Sequence, residues 1–156
     1  MTRYLIPLAL AWAILLSGVC RADAARAVSL LCPPGSAYLA PLVDSAARLY
    51  LLHPHLLVAV VAHESRCDPW AASGRGDFGL GQIRIGGSAA LGAAALELQG
   101  PALNLALTAR HLARCLVLCG ALGPALSVYS GHRRCRASRY SRAVVALLRM
   151  TFRERS

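Results

Sequence analysis

The chain has 156 residues, 56% of them apolar, and a formal charge of +10 set by 17 arginines against seven acidic residues, with no lysine. That length holds one domain around one core, and the scattered Gly and Pro with no repeating segment exclude low-complexity and repeat architectures. A basic chain is drawn to polyanions of any kind; the leader described next argues against nucleic acid and for wall carboxylates or anionic lipid.

The first segment, "MTRYLIPLALAWAILLSGVC", carries Arg3 and then an apolar run from about Tyr4 to Val19. Ala22-Asp23-Ala24 follows as the small-x-small pattern of a signal peptidase site. The run is shorter than the roughly 20 residues of a membrane span, and Val19 is large for the residue preceding a lipidated cysteine at Cys20. The expectation is a signal peptide over residues 1–24, export to the periplasm or beyond, and a mature domain over 25–156.

The mature part reads as helices divided by turns. Leu39, Leu42, Val43, Ala46, Leu49 and Tyr50 give one apolar face to a helix over Ala37 to Leu52. After Pro54 a second helix runs from about His55 to Arg66 and must stop near Asp68, because Pro69 disfavours the helical region in the residue before it. Ala71 to Gly87 holds six glycines and reads as a loop with room for a minor β-hairpin. "SAALGAAALELQ" can form a short helix. Pro101 suits the first turn of a long helix through Cys119, ended by Gly120. Gly123-Pro124 starts another through about Ser130, and Arg139 to Phe152 is a last amphipathic helix. The predicted class is all-α, with at most that hairpin.

Five cysteines remain after cleavage: Cys32, Cys67, Cys115, Cys119 and Cys135. An oxidising compartment favours two bridges with one thiol left over. His111, Cys115 and Cys119 share a helix face at four-residue spacing, which suits buried thiols or bridge partners better than a metal site. Cys115 and Cys119 do not suit one another, since parallel Cβ vectors one turn apart fit disulfide geometry poorly.

Chemistry concentrates in three places. "VAVVAHESRCDPW" sets Glu64 at the end of an apolar helix, where desolvation makes a carboxyl hold its proton longer. The Gly-rich loop contains "GDFGLGQI", and "ALSVYSGH" follows about fifty residues on. Alone, a Glu at a helix end is most often structural. In this order and spacing, the segments resemble the lysozyme-like lytic transglycosylases. The resemblance rests on Glu64-Ser65, Pro69, Gly79-Leu80-Gly81-Gln82-Ile83, Asn104 and Val128-Tyr129-Ser130-Gly131, and runs from about Leu51 to Leu148. Two positions depart from the pattern: Gly81 stands where Met is usual, opening the floor of the cleft, and Ser130 where Asn is usual.

The resemblance implies a lysozyme-like single domain that cleaves the MurNAc–GlcNAc β-1,4 bond of peptidoglycan strands, with no cofactor and no metal. Glu64 is then the catalytic residue, with Ser65, Gln82, Tyr129 and Ser130 as substrate-binding residues. Tyr129 is expected at the cleft, holding Glu64 or sugar. One Glu suffices if it first protonates the leaving oxygen and then, as carboxylate, takes the proton of the sugar's own C6 hydroxyl to give a 1,6-anhydro end. A muramidase hydrolase would need a second carboxylate; Asp77 is the better candidate, and Asp68 reads as a brace for the turn. A non-catalytic wall-binding accessory protein is the rival from outside enzymes. His63 and His111 read as surface or core histidines, and "HRRCR" as a solvated basic patch or a contact for wall carboxylates. The segments "NLALTARHLARC" and "ALSVYSG" look most like small members serving type IV secretion or conjugation machines, with type III systems an alternative partner. If Glu64 and Tyr129 meet across a cleft, Cys67 and Cys135 become partners, and Cys32 pairs with Cys115 or Cys119.

Overall fold

The computed structural model describes residues 21–84 and 96–153. Residues 21–31 form helix α1, and a 3-10 turn at Ser36–Tyr38 leads into α2, Leu39–Leu49. Helix α3 is Pro54–Ser65. Strands β1, Asp77–Phe78, and β2, Ile83–Arg84, pair antiparallel with Asp77 opposite Arg84. Residues 96–99 are helical, the end of the short helix predicted for that region, whose earlier part lies outside the described residues. Helices α4, Pro101–Cys119, α5, Leu122–Tyr129, and α6, Arg139–Arg153, complete the fold. The all-α expectation with one small hairpin holds.

Helix α3 is the axis of the molecule. Every residue from Pro54 to Val61 is buried, so the helix has no wet face over its first two turns. Leu57, Val58 and Val61 pack with α1, α2, Leu80, Leu105 and Ala109, while Leu56, Ala59 and Val60 pack with Leu112, Leu126, Tyr129 and Val144 from α4 to α6. Each such side chain, fully buried, stabilises the fold by roughly 1.5–3 kcal/mol. One helix therefore joins two apolar clusters, and its C-terminal turn emerges where they part.

Local signals start and stop α3. Pro54 occupies its first turn, and the His53 ring nitrogen accepts from the His55 N–H at 3.2 Å. The helix ends at Ser65, earlier than Pro69 requires, because Arg66 and Cys67 both adopt left-handed backbone, φ 55° and 64°. Two consecutive non-glycine residues in that region carry strain. They turn the chain so that Cys67 enters the first cluster and bonds to Cys32, Cα to Cα 5.5 Å. The second disulfide joins Cys119 to Cys135, Cα to Cα 5.4 Å.

These pairs correct the expected Cys67–Cys135 bridge and the expected partners of Cys32. Cys67 packs beside α1 and α2, whereas Cys135 lies exposed in the loop between α5 and α6, next to the end of α4. Cys115 is the free thiol among the described residues; it is buried, with His111 Nε2 4.0 Å from its sulfur.

Candidate active site

Glu64 sits in the last turn of α3, where the helix leaves the core and enters an open cleft of about 770 Å³. Four other parts of the fold supply walls: α4 with His111 and two arginines, the hairpin with Asp77 and Arg84, the end of α5 with Tyr129 and Ser130, and the start of α6 with Tyr140. Desolvation pushes the Glu64 carboxyl above its ordinary range, and the negative charge of Asp77 adds to the rise. One interaction opposes it. The Tyr140 hydroxyl donates to Glu64 Oε1 at 2.5 Å, a contact that favours the ionised form, and the net shift is still upward.

Tyr140, in the first turn of α6, is the residue that sequence reasoning missed. It follows Glu64 by 76 positions and lies in "SRYSR" among arginines, outside every motif. Its only signal was position. It precedes Val144 by four residues on the apolar side of α6, and the same side continues to the buried Thr151. Burial, the charge of Glu64 and the hydrogen bond to it hold the Tyr140 phenol far above its usual range, so it remains a donor. His63 closes the other side, its ring edge-on to Tyr140 at 4.7 Å and its pKa lowered by desolvation.

Tyr129 is buried at the cleft floor but does not hold Glu64. Its hydroxyl donates to the Gly81 carbonyl at 2.7 Å, tying α5 to the Gly-rich loop. Its ring stacks parallel to Tyr140 at 6.5 Å and lies 5.0 Å from the His111 ring. Tyr129 thus ties the floor to the Gly-rich loop, and of the two contacts expected of it the one to Glu64 is made by Tyr140. Neither His63 nor His111 is remote from the site, since both line the cleft.

The loop is fixed by Asn104. This fully buried side chain accepts from the Gly81 N–H at 2.8 Å and donates to the carbonyls of Phe78, at 2.9 Å, and Leu98, at 2.8 Å. Gly79 must be glycine, because its φ is 70° and a Cβ there would lie 2.4 Å from the Asn104 amide nitrogen. Gly81 does not open the floor as expected. A Cβ on it would lie 1.9 Å from Thr108 Oγ1, so the space a larger residue needs is already filled from α4.

The remaining predicted residues divide. Gln82, at φ 49°, borders the cleft, but its amide nitrogen donates to the carbonyls of Ala71 and Gly79 and braces the loop. Ser130 borders the cleft with its hydroxyl on the Ser127 carbonyl at 2.8 Å and near His132 Nδ1 at 3.2 Å. Ser65 bonds back to the Val61 carbonyl at 3.2 Å on its own helix and is not among the cleft-lining residues. Asp68 accepts from the Trp70 N–H at 2.8 Å, bracing the turn as read from the sequence. Asp77 accepts from Arg84 at 2.7 and 3.2 Å and from the Ser73 hydroxyl at 2.7 Å, and Arg84 above all holds its pKa low. No group of three metal-ligating side chains occurs among the described residues, and the Cys119 sulfur is bonded to Cys135.

An apolar helix thus delivers one desolvated carboxyl to an open cleft lined by the buried Tyr129 and the half-buried Tyr140. The family model for the transglycosylase SLT domain matches residues 41–141, well over half of the chain. The chain belongs to this family. The match spans α2 to the start of α6 and so includes every wall of the cleft. No curated protein and no solved structure matches the chain. Membership makes this a lytic transglycosylase domain of the SLT type, with peptidoglycan as its substrate.

Proposed function

We propose that Glu64 is the single acid and base of a lytic transglycosylase reaction on the MurNAc–GlcNAc β-1,4 bond. The observation that carries this is the state of the two carboxyls at the cleft. Glu64 is desolvated and raised in pKa, the direction a general acid needs, and the Tyr140 hydroxyl fixes its orientation. Asp77 is ionised and saturated by Arg84 and Ser73, so it is poorly placed to activate a water. In the first step Glu64 protonates the glycosidic oxygen and the bond to C1 of the muramoyl residue breaks. In the second, the Glu64 carboxylate takes the C6 hydroxyl proton as that oxygen bonds to C1, closing a 1,6-anhydro ring. Tyr140 donates to the carboxylate formed between the steps and keeps it aimed. Ser130 and the free carbonyl side of Gln82 border the glycan path.

We place the protein outside the cytoplasm as a periplasmic or secreted enzyme. Its two disulfides support an oxidising compartment, as does the apolar run before Ala24. Local opening of the wall for a type IV secretion or conjugation machine is the cellular role the "NLALTARHLARC" and "ALSVYSG" segments favour, with a type III machine the alternative. Mass spectrometry of the muropeptides released from isolated sacculi tests the chemistry. Products one water lighter than hydrolysed muropeptides are expected. Reducing ends would make the enzyme a muramidase hydrolase, and intact sacculi would make it a wall-binding accessory protein.

A further inference from the structure

The cleft carries more positive charge than its chemistry uses. Arg110 and Arg114 lie four residues apart on α4, on one face of the helix, and both line the cleft with exposed side chains. Among the described residues neither forms an ion pair. The hairpin wall differs, because Arg84 is matched by Asp77, whose carboxylate also feels Arg75. Nor does α4 simply turn a wet, charged side to solvent. One turn beyond Arg114 its exposed residues are Val117 and Leu118, 88% and 70% exposed. Two uncompensated guanidiniums thus face a groove on a helix whose outer end is apolar.

A β-1,4 aminosugar backbone is neutral, and nothing in it calls for such a pair. Each muramoyl residue, however, carries a lactyl ether that ends either in a carboxylate or in a peptide bearing carboxylates. Planar guanidiniums one helical turn apart suit that ligand, since each offers parallel N–H donors to a carboxylate. We propose that Arg110 and Arg114 bind a carboxylate of the muramoyl branch and so select branched, acidic glycan over plain aminosugar polymer. The inference rests on the reading of the cleft as a glycan site, and it concerns binding, so it can be tested without turnover. Glu64 and Tyr140 reach the cleft from α3 and α6, so α4 can hold the branch while the other two helices address the glycosidic oxygen.

The experiment measures binding of the Glu64→Gln protein, with and without Arg110→Gln/Arg114→Gln, to three soluble ligands. These are peptide-bearing glycan strands, amidase-stripped strands that retain only lactyl carboxylates, and neutral chito-oligosaccharides. Exposed charge-assisted contacts are each worth a few-fold, so the arginine substitutions should weaken binding to peptide-bearing strands about tenfold. Binding to chito-oligosaccharides should not change. High salt should erase the difference on the acidic strands, and Arg110→Lys/Arg114→Lys should recover part of it. A similar loss on stripped strands assigns the lactyl carboxylate as the ligand; a loss confined to peptide-bearing strands assigns the peptide. Unchanged binding to peptide-bearing strands, or an equal loss on the neutral oligosaccharides, overturns the proposal. A wild-type protein that binds acidic strands through the arginines yet releases no anhydro product would instead overturn only the catalytic reading.

Discussion

At the scale of single residues, the proposed chemistry rests on a proton that Glu64 keeps longer than an ordinary carboxyl. Its folded pKa is raised, so the folded state binds this proton at pH values where the unfolded chain has lost it. Stability from this group is therefore fully present below the ordinary carboxyl range and falls as pH rises through the folded pKa. Glu64→Gln removes the ionisation while keeping the shape. Its melting temperature should match wild type at acidic pH and equal or exceed it at neutral pH. Its activity on sacculi should fall by about 10²–10⁴-fold or more. A variant that keeps wild-type turnover would remove Glu64 from the mechanism. The two tyrosines separate in the same assays. Tyr140→Phe deletes the donor that favours the carboxylate, so Glu64 should hold its proton to still higher pH and the alkaline limb of kcat/KM should move upward. Tyr129→Phe deletes the bond to the Gly81 carbonyl and the hydroxyl's contact with Thr108, and should cost about 1 kcal/mol of stability with an unmoved pH profile.

At the scale of elements, the hairpin wall is placed from α4 rather than by its own two-residue strands. Such strands bury too little to stand alone, and the Asn104 side chain supplies three bonds to the backbone around them, two of them buried. Asn104→Ala leaves the Gly81 N–H unpaired in a buried position, and a destabilisation of about 2–4 kcal/mol is expected in chemical denaturation. Activity should drop with it as Asp77 and Gln82 lose their position. Gly81 and Thr108 act as a matched pair across the same contact. Gly81→Ala should destabilise by about 1–3 kcal/mol through overpacking. Thr108→Ala should return only part of that, because the Thr108 Cβ still lies 2.8 Å from the new methyl. Full rescue, or no effect of Gly81→Ala at all, would show that the loop can move away from α4.

At the scale of the whole molecule, two disulfides close the fold. One joins α1 to the turn after Glu64, across a sequence separation of 35, and the other joins α4 to the loop before Tyr140, across 16. By loop-closure entropy they stabilise by about 4 and about 3 kcal/mol. Non-reducing peptide mapping should find these two pairs with Cys115 free, and reduction should lower the melting temperature sharply. Mapping that finds Cys67 joined to Cys135 would contradict the arrangement. Export is testable on the same preparation, with a mature N-terminus expected near Ala25. Cleavage there would leave Ala27 and Val28, both buried against α2 and α3, to hold the remainder of α1 in place.

The sequence alone determined the elements from α2 onward and singled out Glu64 as the candidate acid; the helix over residues 21–31 was not read from it. Apolar periodicity, Pro54, Pro101 and Gly120 are local signals, and the helices begin and end close to where those signals lie. Glu64 was legible because a carboxyl at the end of an unbroken apolar helix, followed by ordered Gly- and Tyr-bearing segments, is a pattern carried by neighbours in the chain. The partners of these residues were not. Tyr140 reaches Glu64 across 76 positions, and Tyr129 reaches Gly81 across 48. The cysteine pairing likewise depended on which side of α3 the turn at Arg66 and Cys67 would face. Such contacts are set by how α3, α4 and α6 pack around one another, and helical periodicity is blind to the rotation and offset of that packing. For the same reason Gly81 read as open space: only the fold brings Thr108 into it.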